Sequence, residues 1–171
     1  MDKITSPEFI ISPLRVQILP EINYFYIAGR PMPLAELDKD FDAMLENLEA
    51  AKTQAHLDRA GPDIVRYYRV EAGSPDLFVM EVGILVKPGI PPAGAAQVKT
   101  LSPILCAGVL FWGSLLHIRD AYEALQKEFQ AAGFVPSGEN QEWTFYFENS
   151  ESPQNLMALY RGIKETPDRS E

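Results

Sequence analysis

The chain has 171 residues, 46% of them apolar and 11% aromatic, enough to build a sizeable core within one domain. A net charge of −9 without a cluster of Lys and Arg argues against nucleic acid, so no affinity for a DNA duplex is expected at physiological salt, and anionic membranes are disfavoured likewise. One cysteine, Cys106, excludes an internal disulfide and a thiolate metal cluster; within SPILCAGVLF it reads as a small buried hydrophobe.

The N-terminus, MDKITSPEFIIS, lacks the apolar core of a signal peptide, and no apolar run approaches the ~18 residues of a membrane span, so a cytoplasmic protein is expected. From Val16 to Gly29 apolar residues fall two apart around a break at Pro20, a strand with an irregular start. Leu34, Leu37, Phe41, Met44, Leu45, Leu48, Ala51 and Ala55 then recur at three-and-four spacing, which predicts a helix over 34–60, stopped by Gly61-Pro62. Ile64–Glu71 and Leu77–Val86 read as strands, with Ala72 to Asp76 a hairpin loop by composition.

Lys87 to Pro103, with four prolines and two glycines, reads as a surface linker. After it the order repeats: a strand over Ile104–Gly113, Ser114 as a helix N-cap, and a helix over 118–132 with apolar face Ile118, Ala121, Tyr122, Leu125 and Phe129. Gly133 closes that helix, strands follow at Glu142–Glu148 and Leu156–Ile163, and the tail 164–171 is polar. Gly29 and Gly113 each stand five residues before a first apolar helical position, and Ala60-Gly61 matches Ala132-Gly133. The expectation is an α+β fold of one domain. It is a tandem strand-helix-strand-strand duplication, with copies at 14–86 and 104–163 and the linker 87–103 between them. Both helices are expected on one face of an antiparallel sheet, with a ligand groove on the other.

This double pattern resembles the GyrI-like (gyrase-inhibitor-like) small-molecule-binding family, whose domain also forms the effector-binding half of multidrug-sensing transcription activators. The first copy carries Gly61-Pro62-Asp63-Ile64-Val65-Arg66-Tyr67 and Glu81-Val82-Gly83-Ile84-Leu85-Val86. The second carries Gly113-Ser114, Ala121-Tyr122-Glu123-Ala124-Leu125, and Glu142-Trp143 at the family's pocket glutamate. It departs from the pattern at Thr144, Leu115 and Ala158, where a tyrosine, an aromatic and an acidic residue are more usual.

Along a strand, side chains alternate between faces. Glu142, Thr144 and Tyr146 therefore share one face, and Trp143, Phe145 and Phe147 the other, which as a wholly aromatic surface is the natural partner of the helices. That places Glu142 in the groove, with Tyr67 from the first copy and Trp112 or Phe111 at its border. A carboxylate framed by aromatic rings suits a lipophilic cation, held by ring quadrupoles and neutralised by the acid. Glu81 is the groove's second carboxylate or an edge charge. His56 and His117 lie at helices and give no metal site, and no phosphate loop or dinucleotide fingerprint is present, so no metal and no cofactor are expected.

The leading expectation is a small-molecule-binding protein for hydrophobic or cationic aromatic ligands, a sensor or sequestering protein with no helix-turn-helix of its own. The alternative is a hydrolase of reactive electrophiles in which Glu142, helped by Tyr146, orients or deprotonates a water. A third role is masking another protein, such as gyrase.

Overall fold

The computed structural model describes residues 8–57, 61–70 and 76–165. Residues 72–75 of the expected hairpin loop, the expected strand end at Glu71, the helix end at Ala60, residues 1–7 and the tail beyond Glu165 lie outside the described residues.

Ten strands join in one antiparallel sheet: β1 Phe9–Ile11, β2 Arg15–Leu19, β3 Ile22–Ala28, β4 Met32–Pro33, β5 Asp63–Arg69, β6 Leu77–Val86, β7 Gln97–Leu101, β8 Ile104–Gly113, β9 Pro136–Tyr146 and β10 Leu156–Ile163. The helices are α1 Phe41–Gln54 and α2 Ile118–Ala131. A 3-10 segment introduces each, Leu34–Asp40 before α1 and Leu115–His117 before α2. The fold is α+β, as the alternating patterns require. The first helical pattern is thus a 3-10 lead-in followed by a shorter α-helix. Ser114 does cap the second segment, its Oγ accepting from the Leu116 N–H at 3.2 Å and donating to the Ser150 carbonyl at 3.1 Å. No helix among the described residues is long and apolar enough to cross a membrane.

The strand path is β1-β8-β10-β9-β5-β6-β3-β7, with β2 also on β8 and β4 on β6. Outward from the β5–β9 junction the order is β5-β6-β3 on one side and β9-β10-β8 on the other, so each half uses its strands in the same sequence. Two departures from the expected elements follow from proline. Pro20 splits the first strand, sending β2 to β8 in the second half while β3 joins β6 in the first. The proline-rich stretch expected as a linker holds β7, which pairs with β3 from Ile22↔Leu101 to Tyr26↔Gln97. Its five residues, QVKTL, are too few to stand out among prolines and glycines.

Both helices cover the same face. Helix α1 buries Met44, Leu48 and Ala51 against Phe25, Ile27, Met80, Val82 and Ile84, and α2 buries Ala121 and Leu125 against Val109, Phe111 and Leu159. Directly opposed residues share a face, and the register runs Val82↔Val65↔Glu142↔Leu159↔Val109 across the sheet. Glu142 is therefore on the helix side.

The opposite face carries a second packed layer without helices. Tyr24, Tyr26, Ile64 and Leu101 are buried there, joined by Trp143 and Leu85. The rings of Tyr24 and Tyr26 stack at 5.2 Å, and Tyr24 donates to the Ile64 carbonyl at 2.8 Å. Gly83 permits this closeness, since a Cβ there would run into the Phe25 carbonyl and the Tyr24 ring.

Candidate functional site

The two helices sit over the two halves of the sheet and leave the central β5–β9 pair uncovered between them. A cleft of about 790 Å³ fills that gap. Its floor is Val65, Tyr67, Glu142, Thr144 and Met157; one wall is Leu37, Asp38, Phe41, Leu45 and Leu48, the other Leu115, Ile118 and Tyr122. Helix α1 manages both tasks with two stripes. Met44 and Ala51 face the sheet core, Phe41 and Leu45, one turn apart, turn toward the cleft, and Leu48 lies between the two stripes and meets both.

The groove is therefore between the helices, not on the sheet face away from them. The difference lies in β9, whose aromatic face does not pack against the helices. Trp143 instead turns to the far face, where its Nε1 donates to Gln141 Oε1 at 2.9 Å and its ring meets the edge of Tyr160. A buried indole N–H needs such a partner, and the apolar undersides of the helices offer none.

Of the residues singled out in the sequence, Glu142, Thr144 and Tyr67 line this one cavity. The others do not. Phe111 is fully buried in the second core beneath α2. Trp112, the next residue on β8, points to the far face and is 49% exposed. Tyr146 is displaced by a β-bulge: Met157 pairs with Thr144 but Leu156 with Tyr146, so Phe145 is an extra residue and the alternation slips by one. Tyr146 thus joins Leu156 and Trp112 on the far face, and Phe147 lines the cleft in its place.

Glu81 is neither a groove carboxylate nor an edge charge. It is buried on the far face, bonded to Arg66 at 3.0 Å, to Lys99 by a short contact and to Tyr68 at 3.5 Å. Arg66 also holds Glu139 at 2.7 Å and lies 4.2 Å above the Tyr68 ring, and Lys99 lies 4.3 Å from the centre of the Tyr26 ring. Together these form an ionic network centred on the buried Glu81 carboxylate.

Glu142 has the opposite surroundings. Its side chain is half-buried at the cleft floor, and among the described residues no side chain hydrogen-bonds to it or forms an ion pair with it. Burial, reinforced by the neighbouring Asp38 carboxylate, pushes its pKa from the ordinary 4.5 up to about 7. Burial, then the charge of Glu142, pushes the Tyr67 hydroxyl upward in turn, so it stays a neutral donor. Asp63, on the same face opposite Thr144, is also raised by burial.

Sequence reasoning missed Asp38 and the cleft role of Tyr122. Asp38 falls among the polar residues of the first helical pattern, and Tyr122 within the apolar stripe of α2. The Tyr122 hydroxyl is buried and has no hydrogen-bond partner among the described residues, which an apolar stripe does not reveal.

Scans against protein-family models and curated proteins found no match. Solved structures do match. The chain is similar to the EcmrR C-terminal domain (TM-score 0.63, 11% identity, 90% of this chain and 98% of that one). It is similar to SAV2435 bound to tetraphenylphosphonium (TM-score 0.66, 10% identity, 90% and 94%). It is similar also to a hydrolase from Listeria innocua (TM-score 0.55, 8% identity, 88% and 91%). The fold is GyrI-like. At these identities the likeness carries the architecture, and the chemistry has to come from this chain's own cleft.

Proposed function

We propose that this GyrI-like protein binds hydrophobic, cationic aromatic small molecules in the cleft between its helices, as a sensor or sequestering protein. The observation that carries the reading is the unpaired Glu142 carboxylate on the floor of an otherwise largely apolar cleft. An unpartnered carboxylate in such a place is costly, and a bound cation offsets the cost. Phe41, Tyr67, Tyr122 and Phe147 supply ring faces and edges around it. The phosphonium bound by SAV2435, of the same fold, supports this class of ligand.

Titration calorimetry tests the reading. Glu142→Gln should weaken tetraphenylphosphonium binding by ~1–2 kcal/mol, roughly 5- to 30-fold, while neutral triphenylphosphine oxide changes by less than about 2-fold. Equal losses for both would make Glu142 a shape element only.

A second reading rests on the same residue. A carboxyl with a pKa of about 7 is poised as a general base at neutral pH, which would suit hydrolysis of an electrophilic ligand bound beside it. Turnover of such a ligand by the wild type and none by Glu142→Gln would establish that reading.

A further inference from the structure

The cleft does not end at Glu142. Past Tyr67, Tyr122 and Leu34, which border both spaces, a second chamber of about 400 Å³ opens. The two chambers have opposite electrostatics. Among the described residues, carboxylates and no Lys, Arg or His line the Glu142 chamber, whereas Arg69 and Arg161 and no Asp or Glu line the second.

The strand register fixes the arrangement. On β9, Gly138, Asn140 and Glu142 succeed one another on the helix face; Asn140 pairs with Tyr67 on β5 and with Arg161 on β10. Arg69 lies beside Gly138, where the missing side chain leaves its stem in van der Waals reach. The arginines therefore flank β9 from either side, Arg161 about 7 Å and Arg69 about 13 Å along the strand from the Glu142 row. Each guanidinium rests on a ring, Arg161 at 4.9 Å from the Phe129 centroid and Arg69 at 5.4 Å from that of Phe78. Stacking leaves the in-plane N–H groups to point elsewhere. Among the described residues neither arginine meets a carboxylate, unlike Arg66, which holds two. The unpartnered Tyr122 hydroxyl stands at the boundary between the chambers.

We infer that the second chamber is an anion subsite, and that the preferred ligand is dipolar: a cationic aromatic body over Glu142 joined to a carboxylate held by Arg69 and Arg161. The inference rests on the cation reading of the Glu142 chamber and specifies its ligand. Two arginines give a planar acid bidentate, charge-assisted bonds.

The test compares rhodamine B, which carries a free carboxylate, with its ethyl ester, which is a cation of the same body. The wild type should bind the acid about tenfold tighter than the ester. Arg161→Met and Arg69→Met should each reduce that preference and together remove it, leaving ester affinity within about 2-fold. Glu142→Gln should weaken both ligands. Equal binding of acid and ester, or tighter binding of the ester, overturns the anion subsite while leaving the cation site intact. Tighter ester binding in Arg161→Met also overturns it, since Arg161 would then be a counter-ion that swings to Glu142. Failure of both dyes to bind overturns the cation reading, and the subsite with it.

Discussion

Replacing Glu81 by leucine should destabilise the protein by about 3 kcal/mol. The residue is 1% exposed and bridges Arg66 and Lys99 beneath the tyrosines of the far face. Removing it leaves Arg66, whose side chain is 14% exposed, with Glu139 alone. Lys99 at 30% exposure reaches water more readily, which keeps the cost at the low end of the 3–5 kcal/mol range for breaking a buried pair. In a domain of this size the melting temperature should fall by ~6–12 °C. Binding of tetraphenylphosphonium should persist at a temperature where the variant is folded, because the network lies on the opposite side of the sheet from the cleft. A loss under 1 kcal/mol would show that the network is solvated and contributes little.

The second large effect is a pH-dependent gain. Folding raises the Glu142 pKa from 4.5 to about 7, so between those values the folded state holds a proton that the unfolded state has released. Stability therefore falls as pH rises through this window and levels off above it. At one proton the penalty approaches ~3 kcal/mol by pH 8, less whatever solvent in the cleft screens. Glu142→Gln cannot titrate. Its stability relative to wild type should thus improve by ~2–3 kcal/mol between pH 4.5 and pH 8, as read by urea unfolding at each pH. A difference independent of pH would mean that Glu142 ionises in the folded state as it does in water. Asp63, also raised by burial, adds a slope of the same sign to both proteins and cancels from the comparison.

Much of this architecture was legible because its signals are local. Two apolar strands ending at Gly29 and Gly113, two three-and-four helical patterns and the paired strands after each gave the α+β antiparallel arrangement with both helices on one face. What sequence alone did not reveal depends on long-range choices. Strand β7 is short, and it pairs only because β3 presents an open edge. Alternation along β9 correctly separated Glu142 and Thr144 from Trp143, but which face the helices would take was decided elsewhere, by the indole finding Gln141. The bulge at Phe145 then exchanged Tyr146 for Phe147, because β10 pairs one residue out of step there. Glu142 and Tyr67 meet through the β5–β9 junction, which joins residues more than seventy positions apart and has no local signature. Asp38 and Tyr122 join them only because the two helices stand apart.

In the proposed function Glu142 is an ionisable receptor for cations inside the cleft. A carbon-13 NMR titration of its side-chain carboxyl, with and without saturating tetraphenylphosphonium, measures this directly. The expected midpoint is near 7 in the free protein, falling by about one unit or more when the cation is bound, since an adjacent positive charge favours the carboxylate. A midpoint near the ~4.3 of a free glutamate, unmoved by the phosphonium, would contradict it.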